Sequence, residues 1–275
     1  MSDCTEAILS AVRDAGERQY PLYISAGGSK QHIAGRCCDA QTLDISAHRG
    51  IIEYQPGELV MTARAGTTLV EIVAALAAEN QILPFEPPQF GGRATLGGTL
   101  ACNLSGPARP WYGSVRDTVL GTRLINGKAE LLKFGGQVMK NVAGYDVSRL
   151  QAGALGTLGI MTEISIRLLP RPESTATLCY EMSAPEAITT MNQRAGQPRP
   201  LSGAFWLDGK LYLRISGAAS AVKHTADLWG GEQLERAQDL WAQLRDLSLP
   251  FFAGDKPLWR LSLNSSALPT GDPAQ

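Results

Sequence analysis

The chain has 275 residues, of which 44% are hydrophobic and 19% charged, so it can bury a substantial core and form two domains. Its 25 basic and 26 acidic residues give a net charge of -1 without long like-charged blocks, which argues against a nucleic-acid or anionic-membrane partner. No run of 18 apolar residues occurs, and residues 1–19 lack the apolar segment of a signal peptide. We therefore expect a cytoplasmic protein.

The five cysteines are an odd number, include the adjacent pair Cys37 and Cys38, and show no C-x-x-C spacing. This pattern favours free thiols in a reducing compartment. A zinc site or an iron-sulfur cluster needs several converging thiolates or imidazoles, and the three histidines show no matching spacing. We therefore predict no metal site.

The first elements are a helix and a strand. Residues 4–18 carry apolar side chains at helical spacing, and residues 22–24 are typical of a strand. This strand leads into Ser25-Ala26-Gly27-Gly28-Ser29-Lys30, where successive backbone N–H groups can form an anion-binding nest. The fingerprint G-x-G-x-x-G and the P-loop are absent. For the glycine pair alone, a plain hairpin or loop is the alternative interpretation.

Three strand-like runs fill residues 42–64, and Thr68 with Glu71 forms the capping box of a helix. Three prolines make residues 83–88 a rigid extended segment. Residues 94–106 then concentrate glycines, small residues and hydrogen-bonding side chains. Because glycine has no Cβ, this stretch is interpreted as one where backbone closely approaches a large flat ligand.

The remaining elements complete a first predicted domain and begin a second. Residues 119–125 and 130–134 predict a hairpin around Asn126-Gly127, a type I′ signal, and residues 107–117 resemble a loop. Residues 160–168 alternate as a strand, after which a proline-rich break separates predicted domains 1–170 and 171–264. The β-α-β-β-α order that follows begins a ferredoxin-like sandwich. Its last strand is predicted at Trp259 to Leu263, with a flexible tail over residues 265–275.

These motifs resemble the vanillyl-alcohol oxidase family of flavoproteins, with its PCMH-type FAD-binding domain. The matching pieces are residues 25–30, 83–88, 94–106, 111–117, 134–146 and 153–163. The fold class that this resemblance implies is α+β: a PCMH-type FAD-binding domain of two α+β halves followed by a partial ferredoxin-like cap domain. The FAD-binding residues that it implies are Ala26, Gly27, Gly28, Ser29, Lys30, Pro87, Pro88, Thr95, Gly97, Gly98, Thr99, Asn103, Gly106, Gly159 and Ile160.

The resemblance also implies chemistry. Members with covalent flavin often carry a histidine directly after the glycine pair, where this chain has Ser29, so we expect non-covalent FAD. His32 and His48 are interpreted as surface or loop histidines and Cys102 as a packing residue. Lys140 and Asn141 are candidates to face the flavin, and the alternative is that this segment serves to order the loop, with Asp146 as a helix cap. No catalytic residue is assigned.

Within the family, the motifs are most similar to those of FAD-binding subunits in glycolate-oxidising complexes. The implied partners are a sister FAD-containing subunit, an iron-sulfur subunit and a small 2-hydroxy acid substrate, with attachment to the inner face of the cell membrane through those partners. Since neither the family's terminal segment nor its late catalytic His and Arg residues are found, the base and the carboxylate-binding cation are expected on the sister subunit. Two alternatives stay open: a self-sufficient D-2-hydroxy acid dehydrogenase of the D-lactate type, and a non-catalytic subunit that binds FAD for assembly or electron relay.

Overall fold

A computed structural model describes residues 2–31, 39–136, 144–254 and 257–267. The chain divides into two compact units: the first contains Met1–Gly106 and Gly113–Arg171, and the second contains Pro107–Tyr112 and Pro172–Gln275. Within the described ranges, no helix combines the length and the apolar character needed to cross a membrane.

The helices are α1 (Thr5–Arg18), α2 (Leu69–Ala78), α3 (Leu96–Cys102), α4 (Arg109–Tyr112), α5 (Val115–Thr118), α6 (Val147–Leu150), α7 (Ala184–Ala195), α8 (Ala219–Trp229) and α9 (Ala237–Arg245). The strands are β1 (Leu22–Ser25), β2 (Gln41–Asp44), β3 (Ile51–Gln55), β4 (Val60–Arg64), β5 (Gln81–Ile82), β6 (Val119–Ile125), β7 (Leu131–Gly135), β8 (Ile160–Arg167), β9 (Leu169–Pro170), β10 (Ser174–Glu181), β11 (Leu201–Leu207), β12 (Lys210–Gly217) and β13 (Glu232–Gln233).

An antiparallel sheet with the strand order β3-β4-β8-β6-β7 forms the centre of the first unit. The predicted strand β8 is confirmed, and its later part alternates as expected: Ile164 and Ile166 are buried, whereas Ser165 between them is half-buried. Its start does not alternate, because Met161 is buried together with its two neighbours. Helix α2 begins at the predicted capping box, in which Thr68 and Glu71 bond each other, and it buries Leu69 in the same core. The helix therefore packs on the sheet by its apolar face.

A parallel pair, β1 with β2, and a short antiparallel pair, β5 with β9, accompany this sheet. The histidine at position 48 lies in a loop, as expected, but it is fully buried, so the alternative interpretation of His48 as a surface histidine is wrong. Its Nδ1 atom accepts a hydrogen bond from the Cys4 backbone N–H at 3.0 Å, and Nε2 donates to the Thr162 carbonyl oxygen at 3.1 Å. His48 thus joins the start of α1 to β8. The other histidine of this pair, His32, lies outside the described residues.

Two local predictions for the first unit are wrong in detail. The β6–β7 hairpin exists, but Ile125 pairs with Leu131, so the connection is longer than the two-residue type I′ turn. The Asn126 side chain accepts the backbone N–H groups of Lys128 and Glu130, both at 3.0 Å, and this closes the longer loop. Residues 109–112 and 115–118 form short helices rather than a loop.

The second unit contains a sheet with the order β11-β12-β10-β13, and α7 and α8 pack on one of its faces. This is the strand order of a ferredoxin-like sandwich. Asp208 and Gly209, with φ of 50° and 79°, make the predicted two-residue turn between β11 and β12. The predicted last strand at Trp259 to Leu263 is wrong, because these residues are not in a strand and the place beside β10 is taken by β13.

Candidate functional site

An elongated cleft in the first unit brings together two segments that the sequence analysis singled out. Its first part, of about 130 Å³, lies between residues 23–31 and the helix α3 residues Gly98, Ala101 and Cys102. A second part, of about 80 Å³, shares Ala26 and Gly98 with the first and continues to residues 155–161. The two parts share lining residues, and we call them together the α3 cleft.

The two ends of the α3 cleft differ in chemistry. Ser29 and Lys30 give the first part a polar, cationic end. Ile45, Ala65 and Met161 line the other end with apolar groups. A ligand with one anionic portion and one apolar portion matches this arrangement, since binding sites commonly combine an apolar lining with a few placed polar groups.

Hydrogen bonds to the neighbouring chain hold helix α3 beside the cleft. The Thr95 hydroxyl accepts the Gly98 N–H at 3.2 Å and caps the helix. The Gly97 N–H donates to the Ala65 carbonyl oxygen at 2.8 Å, which ties α3 to the end of β4. The middle of the glycine stretch is thus a capped helix, and the predicted approach of its backbone to a ligand stays a prediction.

Several glycines near the cleft are required by contacts within the protein. A Cβ atom on Gly27 would overlap the Arg93 carbonyl group, and one on Gly106 would overlap the backbone of Glu86. On Gly97 it would lie 2.7 Å from the Ala65 Cβ atom. These three glycines allow close packing of backbone against backbone. Gly28, with φ of 62°, and Gly98 instead border open space in the cleft.

The glycine-spaced turn before β8 completes the cleft. The Gly153 and Leu155 N–H groups donate to the carbonyl oxygens of Leu100 and Ala101, at 3.1 and 3.0 Å, and so attach the turn to α3. Gly156 has a φ of 79°, a conformation that other residues adopt only with strain. The turn thereby places Leu155 in both parts of the cleft.

Lys30 supplies the positive charge of the polar end. Lys30 is only 7% exposed, and its Nζ atom lies 3.3 Å from the Ser29 hydroxyl oxygen. Burial lowers the Lys30 pKa from 10.5 to about 8, since desolvation disfavours the charged form. Burial also raises the pKa of the neighbouring Cys102 thiol, an effect that Lys30 partly offsets.

The predicted site residues fall into two groups. The α3 cleft is lined by Ala26, Gly27, Gly28, Ser29, Lys30, Thr95, Gly97, Gly98, Gly159 and Ile160. The lining does not include Pro87, Pro88, Thr99, Asn103 and Gly106. In the described part of the chain, the Thr99 hydroxyl and the Asn103 Oδ1 atom are buried without a hydrogen-bond partner. Both groups of residues remain predictions.

Some lining residues were not predicted. Leu155 and Met161 lie in the turn and strand whose glycine spacing was noted, so that spacing was the available signal. Cys102 lies four residues after Gly98 in α3 and therefore on the same face of the helix, so it also lines the cleft, where it is half-buried. Lys140 and Asn141 lie outside the described residues, whereas the nearby Asp146 caps α6 by accepting the Arg149 N–H at 2.9 Å.

The chain is similar to several known proteins. A family model described as an FAD binding domain matches residues 3–135. The chain is 49% identical over 265 residues to glycolate oxidase subunit GlcE of Escherichia coli, covering 96% of this chain and 75% of that protein. It is 30% identical to glycolate oxidase subunit GlcD of Bacillus subtilis, over 63% of this chain and 37% of that protein. A solved structure of alkyldihydroxyacetonephosphate synthase superposes with a TM-score of 0.70 at 17% identity, over 88% of this chain and 53% of that one.

Proposed function

The chain belongs to the family of FAD-binding oxidoreductase subunits that includes glycolate oxidase subunit GlcE, and on that premise we propose that it is the FAD-binding subunit of a glycolate-oxidising complex. The fold class is the one expected for this family, α+β with a PCMH-type FAD-binding domain. The observation that carries the proposal is the α3 cleft, with its cationic and apolar ends.

The residues of the cleft fit an extended flavin nucleotide. The first part of the cleft offers Lys30 and the small residues Gly28 and Ser29 to the diphosphate, which carries two negative charges. The apolar end offers Ala65 and Met161 to the ring system. No aspartate or glutamate lines either part within the described residues, so the cleft opposes no carboxylate to an anionic ligand.

When bound, FAD supplies the acceptor of the two electrons that leave a 2-hydroxy acid as it is oxidised. The chain's own contribution is to bind and orient the cofactor. Gly98 leaves room beside α3, and Thr95 fixes the start of that helix through its cap. The apolar end excludes water from the ring system, which strengthens polar interactions there.

We further propose that FAD is held non-covalently. Ser29 follows the glycine pair, and a serine hydroxyl offers no imidazole for a flavin linkage. The base that removes the substrate's hydroxyl proton and the cation for its carboxylate are proposed to belong to a sister FAD-containing subunit. Electrons leave the flavin to an iron-sulfur partner subunit in this proposal.

Anaerobic addition of glycolate to the purified, FAD-loaded chain tests the proposal. We expect the visible flavin band to persist with the chain alone and to bleach when the partner subunits are added. Bleaching of the isolated chain, with glycolate or with D-lactate in a parallel sample, would instead identify a self-sufficient dehydrogenase. In a third sample, the sister subunit's own flavin is inactivated before the complex is assembled. If the flavin band of this chain then does not bleach with glycolate, the result favours the non-catalytic alternative.

A further inference from the structure

Helix α9 packs on the face of the second sheet that lies opposite to α7 and α8. Ala176, Leu178 and Leu213 belong to the core that the sheet forms with α7 and α8. Successive residues of a strand point to opposite faces, so the residues that alternate with these point away from that core. The pairing of β11, β12 and β10 places them in two adjacent rows, which are Gly203, Arg214, Thr177 and Phe205, Tyr212, Cys179.

The side chain of Trp241 from α9 lies over these two rows and is buried there. Its Nε1 atom donates a hydrogen bond to the Thr177 hydroxyl oxygen at 2.9 Å. The guanidinium carbon of Arg214 lies 4.5 Å from the indole ring centre, and the Phe205 ring meets the indole edge-on with 5.0 Å between centroids. A Cβ atom on Gly203 would lie 2.8 Å from the indole Cζ3 atom, so the glycine leaves room for the ring. We call the surroundings of the ring, formed by Thr177, Gly203, Phe205 and Arg214, the indole socket.

The burial of α9 depends on this single side chain. Between Trp229 and Leu249, Trp241 is the only buried residue. Arg236 and Leu247, which lie on either side of the helix, have left-handed φ angles of 55° and 54°, a conformation that is unfavourable for residues other than glycine. Residues 236–247, which we call the α9 strap, therefore place one buried side chain on the sheet and have strained backbone at both ends.

We propose that the α9 strap opens and closes over the second sheet as one unit, that the Trp241 indole in its socket holds it closed, and that the indole socket becomes accessible only in the open form. The inference concerns the second unit and goes beyond the proposed function. Elements with few buried contacts open locally, and the left-handed residues at both ends can relax when the strap leaves the sheet. The indole socket is specific for its ring, because it combines a hydrogen-bond acceptor, a cation over the ring and an edge-on aromatic contact.

Hydrogen exchange of the backbone amides in α9 and β12, measured by mass spectrometry on the full chain, tests the inference. A released α9 should unfold, since isolated helices shorter than about 12–15 residues are marginal in water and α9 has nine residues. We expect the α9 amides to exchange at least about tenfold faster than the β12 amides, through an opening that exposes little surface. The α9 rates should therefore change little in low concentrations of urea, whereas the β12 rates should rise. If the α9 rates rise with urea as steeply as the β12 rates, the strap does not open as a separate unit and the inference is overturned.

Substitutions test the role of the indole ring. Trp241→Ala should accelerate the exchange of the α9 amides at least about tenfold, because it deletes a large buried side chain. Free indole should slow this exchange again in Trp241→Ala but not in the wild type, since it refills the indole socket. Trp206→Ala is the matched control and should leave α9 exchange unchanged, because Trp206 pairs with Leu211 and points to the face of α7 and α8.

Two results would overturn the role of Trp241. One is unchanged α9 exchange in a folded Trp241→Ala variant, and the other is equal acceleration by Trp206→Ala. If Trp241→Ala does not fold, the urea dependence of α9 exchange in the wild type still decides whether the strap opens as a unit.

Discussion

Alanine substitutions at the adjacent residues Gly97 and Gly98 should have opposite consequences. Gly97 is buried, and an added Cβ atom would lie 2.7 Å from the Ala65 Cβ atom and 2.9 Å from its carbonyl oxygen. Neither Ala65 atom is the end of a flexible side chain, so α3 must move away from β4. At Gly98 the added atom meets only the Thr95 hydroxyl, at 3.2 Å, and otherwise enters open space in the α3 cleft.

The magnitudes follow from these contacts. Overpacking at Gly97 should cost about 2–3 kcal/mol, because the atoms it meets cannot move away cheaply, and the better helix propensity of alanine offsets about 1 kcal/mol of this cost. The net loss of about 1–2 kcal/mol corresponds to a fall in Tm of roughly 2–8 °C. Gly98→Ala should change stability by less than about 1 kcal/mol, but it should weaken FAD binding at least about tenfold because its methyl group occupies ligand space.

Urea unfolding followed by circular dichroism, with titration of FAD fluorescence, measures both effects. Gly16→Ala in α1 serves as the control, because no atom lies within 4 Å of its added Cβ atom. This control should gain about 0.5–1 kcal/mol and bind FAD as the wild type does. A folded Gly98→Ala variant with unchanged FAD affinity would refute the assignment of the cleft. A Gly97→Ala variant as stable as the wild type would refute the packing argument.

Two further predictions concern titratable groups. Burial lowers the pKa of His48 in the folded state, so its contribution to the free energy of unfolding should be fully present above the unfolded pKa of about 6.5. As the pH drops below that value, the free energy of unfolding should fall by no more than about 1.4 kcal/mol per pH unit, and His48→Gln should lose this pH dependence. Urea unfolding between pH 7.5 and 5.5 measures it, and the same change of unfolding free energy with pH in the wild type and in His48→Gln would contradict the prediction. Alkylation of the Cys102 thiol should be slow because burial raises its pKa. Bound FAD should slow this alkylation further, since Cys102 lines the cleft, and should leave the alkylation rate of Cys4 unchanged. Mass spectrometry measures both rates, and equal protection of the two thiols by FAD would contradict a local effect.

Local signals in the sequence predicted the elements that depend on few distant contacts. The capping box of Thr68 and Glu71 and the Asp208-Gly209 turn are complete within a few residues, so their sequence patterns suffice. Helix α3 was not predicted, since its glycines lower helix propensity and its position depends on the bond from Gly97 to Ala65. That bond joins residues distant in sequence.

The difference between local signals and contacts distant in sequence also explains why the strand predicted at residues 259–263 is wrong and why the site was predicted only in part. Residues 259–263 have a strand pattern, but a strand also needs a pairing partner, and β13 occupies the edge of β10. The loop at residues 26–30 was predicted to be part of a site from its motif. The burial of Lys30 was not foreseeable, because the surrounding α3 and Phe90 come from later parts of the chain.

Equilibrium binding of FAD to the purified chain tests the central claim most directly. Titration should give one FAD per chain, and acid precipitation of the complex should release all of the flavin into the supernatant, as non-covalent binding requires. Riboflavin should bind more weakly because it brings no phosphate to Lys30. A folded chain that stays colourless and unliganded after addition of excess FAD would contradict the account.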